Sequence, residues 1–169
     1  MPPLRLASIG LLLVLITINL GSFTLSLDLL GWLMVVGGVH QVAGLNRWFG
    51  WARNLAVAAL VLELVLLISP LAVLSVLAAT FSRLAVLAFV FCLCTALLTR
   101  LGKGDRWYAI ALQVIRVLVP VVTLAAAALA VVEVPAGLPI GWLYPVQLVG
   151  TVALSGVMWL LGSRYTFSR

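Results

Sequence analysis

Long apolar runs separated by short polar or basic segments cover the whole chain. A helix needs roughly 20 apolar residues to cross the hydrocarbon core of a bilayer. The runs have about this length, and the segments between them are too short to form a separate domain. The pattern predicts an all-α polytopic transmembrane bundle of about six spans in one domain, residues 1–169. The predicted spans are roughly 6–23, 29–45, 54–70, 79–99, 107–132 and 146–161.

The apolar stretch 54–99 decides the number of spans. As one helix it would be about 69 Å long, more than twice the thickness of a hydrocarbon core. It must therefore reverse, and we expect the reversal between Ser69 and Ser82, where a Ser-Pro pair interrupts the run. Pro120 is expected to break the fifth span in the same way, and three prolines mark 133–145 as an outer loop.

The basic residues support the six-span count. Lys and Arg collect in the cytoplasmic loops of membrane proteins. With six spans and a cytoplasmic N-terminus, eight of the ten basic residues share one side, and both termini are cytoplasmic. These residues are Arg5, Arg47, Arg53, Arg100, Lys103, Arg106, Arg164 and Arg169. Five spans would move the basic segment 100–106 to the outside, so the charges predict six spans in a plasma (inner) membrane.

Composition agrees with this fold class. Apolar residues make up 65% of the 169 residues, charged residues only 8%, and the mean hydropathy is +1.30. A soluble domain carries about a quarter charged residues, so the expected surroundings are the lipid bilayer. The net charge of +6 follows from the loops, and we expect no nucleic-acid partner. Cys92 and Cys94 would point about 200° apart on a helix and are interpreted as apolar fillers.

No catalytic or cofactor motif is present in the sequence. It contains no Gly-x-Ser-x-Gly elbow, no His-Glu-x-x-His and no Gly-x-Gly-x-x-Gly. The Gly-Lys-Gly segment at 102–104 lacks the spacing of a phosphate loop and is interpreted as a turn. We therefore expect no enzymatic activity, no cofactor and no metal.

Two ionisable residues, Glu63 and Arg116, are predicted to lie near the middle of the membrane. Each lies ten residues after a basic residue at the start of its span, Arg53 and Arg106 respectively, which places it at about 15 Å depth. An ionisable group at that depth costs several kcal/mol unless it finds a partner, so the sequence predicts a buried ion pair. Helical spacing suggests that both side chains face inward, on stripes formed by Ala52, Ala56, Ala59 and Glu63, and by Ala109, Gln113, Arg116, Pro120 and Thr123.

These polar residues support two functional hypotheses. In the first, His40, Gln41, Glu63, Gln113 and Arg116 line an intramembrane polar site of a small transporter-like or solute-binding membrane subunit. Such a subunit would act as a homo-oligomer or with a partner membrane subunit. In the alternative, the charged pair only fixes helix register, and the chain is a scaffold, assembly or immunity-type protein that docks partner helices. A cavity that reaches Glu63 would favour transport, whereas a dry contact would favour docking.

One part of the sequence resembles a known group of proteins. The segments are 26–35 (Ser-Leu-Asp-Leu-Leu-Gly-Trp-Leu-Met-Val), Gly38, 45–49 (Leu-Asn-Arg-Trp-Phe) and Ala52-Arg53. They resemble a pattern in small uncharacterised bacterial multi-pass membrane proteins, in which Asp, Gly and an aromatic residue open the second helix before a basic aromatic turn. Leu27 stands where those proteins often have Pro. The resemblance covers the first three spans and implies a bacterial integral membrane protein, with no activity attached.

Overall fold

The computed structural model of the protein describes residues 2–15, 17–20, 23–68, 72–102, 104–131 and 143–164. The predicted all-α chain of six helices is confirmed, with the addition of one short pair of strands. In chain order the elements are α1 (Pro3–Val14), β1 (Thr17–Leu20), β2 (Phe23–Ser26), α2 (Asp28–Val42), a 3-10 turn (Ala43–Leu45), α3 (Arg47–Ile68), α4 (Ala72–Leu98), α5 (Arg106–Val131) and α6 (Leu143–Arg164).

The first predicted span, 6–23, is not one helix. The helix α1 ends at Val14, and β1 pairs antiparallel with β2 so that Leu20 stands opposite Phe23. The sequence explains the change: polar and apolar residues alternate through both strands, with Gly-Ser between them. This period of two and a two-residue connection containing Gly are typical of a β-hairpin. Asn19, which falls within that predicted span, therefore lies on β1.

The third and fourth helices are longer than predicted. α3 begins at Arg47, so the basic aromatic segment 47–53 forms its first two turns rather than an interfacial loop. α3 ends at Ile68 and α4 begins at Ala72. Residues 69–71, at the start of the window in which the reversal is expected, lie outside the described part of the chain. Residues 132–142, which hold most of the predicted outer loop 133–145, lie outside it as well, and α6 begins at Leu143, before the predicted end of that loop.

The fifth helix continues through Pro120, contrary to the expected break. A proline inside a helix removes one backbone N–H donor and displaces the carbonyl four residues earlier. In an apolar environment no water is present to bind the other backbone groups if the helix stops. Losing one hydrogen bond therefore costs less than ending the helix at this point.

The helices form a closed ring in which each packs against the next along the chain and α6 packs against α1. Neighbouring helices run antiparallel. Two hydrogen bonds between the α3 and α4 segments, one near each end of α3, illustrate this. Asn46, just before α3, donates to the Thr99 hydroxyl at 2.8 Å, and Glu63 accepts from Ser82 at 2.8 Å. The ring therefore brings the first and last described helices together.

The middle of this ring is filled with large apolar side chains. Trp32 of α2 and Phe89 of α4 meet edge to face with 5.6 Å between ring centres. Both rings are almost completely buried. The other large side chains with almost no exposed surface include Leu4, Leu93, Leu97, Leu112, Leu154, Met158 and Leu161. Hydrocarbon packing, rather than a row of polar groups, occupies the interior described here.

The basic residues gather at one end of the bundle, as their spacing predicts. Arg100 donates a hydrogen bond to the Leu45 carbonyl, and Arg164 lies 3.4 Å from the Asp105 carboxylate. We call this the basic end; its described members are Arg5, Arg47, Arg53, Arg100, Arg106 and Arg164. Lys103 and Arg169 lie outside the described residues.

Among the residues that the structure describes, four helical segments are long and apolar enough to cross a membrane. They are Asp28–Leu45, Arg47–Ile68, Leu77–Leu98 and Arg106–Ala125. Pro3–Val14 and Leu148–Arg164 are shorter apolar helices. By length and composition, the chain is therefore compatible with a membrane protein.

Candidate functional site

Glu63 is held between α3 and α4 by a hydrogen bond. The Ser82 hydroxyl donates to Oε1 of Glu63 at 2.8 Å, and Ser82 itself is buried. The predicted inward orientation of the alanine stripe on α3 is confirmed, since Ala52, Ala56 and Ala59 have no exposed surface. Small residues along this stripe let α3 and its neighbours approach closely, and Glu63 continues it as a half-buried residue.

Arg116 has fewer partners within the chain. It is half-buried on α5, and its guanidinium carbon lies 4.9 Å from the centre of the Phe91 ring on α4. Its Nε is buried and has no hydrogen-bond partner among the described residues. A cation–π contact contributes about 0.5–2 kcal/mol, less than an arginine deep in a bilayer costs. The contacts given by the described residues therefore compensate Arg116 only in part.

Glu63 and Arg116 form no ion pair in the described part of the structure, contrary to the predicted contact. Their partners on α4, Ser82 and Phe91, are about nine residues apart, which is about 14 Å along the helix axis. The predicted equal depth fails because Arg53 does not mark the start of its helix. α3 begins at Arg47, so Glu63 lies about 24 Å from that end.

The polar stripe on α5 does not face the core, which corrects the predicted orientation. The buried positions of this helix are Leu112, Ile115 and Val119, whereas Gln113 is exposed and Arg116 half-buried. Both sets of residues have helical spacing, and the apolar set can be buried without desolvating a polar group. It therefore occupies the interior, and the polar set lies beside it, with Gln113 exposed and Arg116 half-buried.

His40 and Gln41 lie on the exposed face of α2. The Gln41 side-chain amide donates to the Gly37 carbonyl of the same helix at 3.3 Å. The five predicted site residues thus lie on three helices, and in the described structure no hydrogen bond or ion pair joins any two of them. Gln113 and Arg116, three residues apart, share a face of α5, and His40 and Gln41 are adjacent on α2.

A groove of about 320 Å³ lies elsewhere, between α1 and α6. Its two serines bond to each other's backbone: Ser8 donates to the Ser155 carbonyl and Ser155 to the Ser8 carbonyl, both at 2.8 Å. With these hydroxyls satisfied, the groove offers an almost wholly apolar surface. Its lining residues are Ser8, Leu12, Val152, Ser155, Gly156, Trp159 and Leu160, none of which belongs to the predicted polar site.

Asp105 is a structurally important residue that the sequence analysis did not single out. It is buried directly before α5; its carbonyl accepts from the Ala109 N–H and its carboxylate faces Arg164 of α6. An Asp immediately before an apolar helical run is a helix-start signal that could have identified it. Across the described residues, no group of three or more His, Cys, Asp or Glu could hold a metal ion.

Comparison with protein-family models, curated proteins and solved structures gives no match to this chain. The resemblance of the first three predicted spans to small bacterial membrane proteins therefore stays a prediction. What the chain does must be argued from its own geometry.

Proposed function

We propose that this protein is a non-enzymatic, six-span integral membrane protein that binds a partner transmembrane helix on the outer face of α5. In this proposal both termini and the basic end are cytoplasmic, and the membrane is the plasma (inner) membrane. The partner helix carries a carboxylate at the level of Arg116. The chain acts as a scaffold or assembly subunit and catalyses no reaction.

The observation that carries this proposal is the position of two polar side chains, one exposed and one half-buried, far from the basic end. Gln113 and Arg116 lie about 10 and 15 Å along α5 from Arg106, well within an apolar helix. Gln113 is exposed, and Nε of Arg116 lacks a partner among the described residues. Lipid tails offer such groups no hydrogen bonds, whereas a carboxylate on an adjoining helix would bind the arginine.

The level of Arg116 favours a different protein over a second copy as the partner. Two copies inserted in the same orientation would place Glu63 of one about 14 Å away, along the membrane normal, from Arg116 of the other. The acidic residue of a second copy would therefore be too far away to pair. A distinct chain with its own carboxylate at the correct depth meets the requirement.

The transport hypothesis has less support. Glu63 is bonded to Ser82, large apolar side chains fill the interior, and the groove lies between α1 and α6. None of these features provides a polar path past the predicted site residues. Transport remains a prediction without a supporting observation, and solute uptake that depends on Glu63 would restore it.

The proposed docking can be tested by photo-crosslinking in native membranes. A photoreactive residue replaces exposed Ile110 of α5, and the matched control replaces exposed Val61 of α3. We expect one discrete cross-linked product from position 110 and none from 61. The product should fall at least fivefold with Arg116→Gln, and equally when the carboxylate of the mapped partner span is changed to an amide. A product that does not respond to either change, or no product, would contradict the proposal.

A further inference from the structure

We propose that the groove between α1 and α6 binds one anionic phospholipid, with an acyl chain along the groove and the headgroup phosphate on Arg5. This site is separate from the proposed helix-docking face on α5. It rests on three observations: the apolar wall, the cation at one end and the unfilled space above Gly156.

The groove suits hydrocarbon better than a polar solute. Its lining consists of apolar side chains, one glycine and two serines whose hydroxyls are already bonded to backbone carbonyls. A polar solute would lose its hydrogen bonds to water here and find no free donor or acceptor in return. An acyl chain has no hydrogen bonds to lose, and it gains van der Waals contacts along about 10 Å of α1, from Arg5 to Leu12.

Arg5 places a positive charge, which can bind an anionic headgroup, at the end of the groove nearest the basic end of the bundle. Its guanidinium carbon lies 4.9 Å from the centre of the Trp159 ring, and Trp159 lines the groove. Arg5 and Ser8 are three residues apart and share a face of α1. The Nε of Arg5 is buried without a hydrogen-bond partner in the described residues, and no described carboxylate forms an ion pair with this guanidinium.

A lipid phosphate fits this arrangement. A planar guanidinium binds phosphate oxygens in a bidentate manner, and basic sites between helices on the cytoplasmic side suit anionic headgroups. The aromatic ring of Trp159 holds the guanidinium at the end of the groove, where the headgroup of a lipid in that leaflet would lie. A zwitterionic lipid carries a compensating cation and should bind more weakly.

Gly156 offers a way to fill the groove without disturbing the fold. A Cβ built at this position meets no atom within 4 Å, and the residue lines the groove. A leucine there would occupy the space that the acyl chain requires. Ala153, exposed on the same helix but outside the groove lining, gives the matched control.

Native mass spectrometry of the full chain in detergent tests the proposal. The probes are dioleoyl phosphatidylglycerol and dioleoyl phosphatidylcholine, which share acyl chains and differ in headgroup charge. We expect one bound phosphatidylglycerol, at least tenfold preferred over phosphatidylcholine. Arg5→Gln should remove that preference, whereas Arg106→Gln, an exposed cation at the same end, should keep it.

The groove itself is tested by two further variants. Gly156→Leu should lower phosphatidylglycerol retention at least fivefold, and Ala153→Leu should leave it unchanged. Equal loss in Arg5→Gln and Arg106→Gln, or full retention in Gly156→Leu, would overturn the proposal. Arg116→Gln should keep the lipid, so failure of the docking proposal and failure of this one are distinguishable.

Discussion

Glu63 and Arg116 are ionisable side chains in apolar helices, and they differ in the hydrogen-bond partners that the described residues provide. Glu63 accepts a hydrogen bond from Ser82 within the bundle, and its alanine stripe faces inward. Arg116 lies over the Phe91 ring, and its buried Nε lacks a hydrogen-bond partner among the described residues. A polar group left incomplete in an apolar environment marks a place where another molecule can bind, so Arg116 carries the functional proposal and Glu63 does not.

At this residue scale we predict that Ser82→Ala lowers the free energy of unfolding by about 1–2 kcal/mol, because the half-buried Glu63 carboxylate loses the donor that the buried Ser82 provides. Glu63→Gln should cost less, since its amide oxygen can still accept from Ser82. Unfolding in mixed detergent micelles measures both. Ser163→Ala is the control, as that exposed serine bonds only to the Leu160 carbonyl of its own helix. Equal losses in Ser82→Ala and Ser163→Ala would show that the interhelical bond adds no stability.

At the scale of the element, α1 and α2 make a close contact through their glycines. A Cβ on Gly31 would lie 2.6 Å from the Gly10 carbonyl oxygen, and one on Gly38 would lie 2.5 Å from the Pro3 carbonyl oxygen. Both distances are too short for any side chain, so the two backbones touch at these glycines. In lipid the hydrophobic effect provides little attraction between helices. Close van der Waals packing, which small residues allow, stabilises the helix pair instead.

The neighbouring glycines 37 and 38 provide a matched test of this contact. Gly38→Ala forces the backbones apart, because its Cβ would also lie 2.7 Å from the Ala7 backbone nitrogen. We expect a loss of about 1–3 kcal/mol, as in other overpacked interiors. Gly37→Ala meets only the Leu6 side chain at 3.7 Å and should be neutral or gain up to about 1 kcal/mol from helix propensity. Denaturation in micelles measures the difference, and similar values for both variants would rule out a tight contact at Gly38.

At the scale of the whole molecule, the ring is closed by contacts between α6 and both of its neighbours. The Asp105–Arg164 ion pair connects the start of α5 to the end of α6, and the paired serines 8 and 155 connect α6 to α1. These contacts bring the described ends of the chain to the same basic end. The proposed orientation in the membrane depends on this arrangement together with the charge of the loops.

Cysteine labelling tests that orientation. We expect Gly137→Cys, in the proline-rich segment, to react with a membrane-impermeant maleimide on intact cells. Gly104→Cys, exposed before α5, should react only after permeabilisation. The unchanged chain is the control, since both of its cysteines lie in α4. Labelling of both sites from the same side would contradict six spans, and a reversed pattern would contradict a cytoplasmic basic end.

Several elements could be predicted from the sequence because their causes are local. The length of each apolar run against the thickness of a bilayer gives the class of protein and the number of helices. The spacing of basic residues predicts that Arg47, Arg100 and Arg164 share one end. The hairpin at 17–26 could also have been predicted from its alternating polar and apolar residues and its Gly-Ser connection. The length of the surrounding apolar run favoured a single helix instead.

The tertiary structure decided which polar residues meet. The side chains that Glu63 and Arg116 contact depend on how each helix is rotated and how far it is shifted along its axis. Apolar residues occur on all sides of α3 and α4, so hydrophobic periodicity alone does not define the inward faces of these two helices. Counting from Arg53 placed Glu63 opposite Arg116, whereas packing against α4 separates them by about 14 Å. The sequence by itself determined that this protein is a bundle of apolar helices with one basic end. Only packing determined that Glu63 has a hydrogen-bond donor in Ser82, that Arg116 Nε is buried without a partner among the described residues, and that Gln113 is exposed.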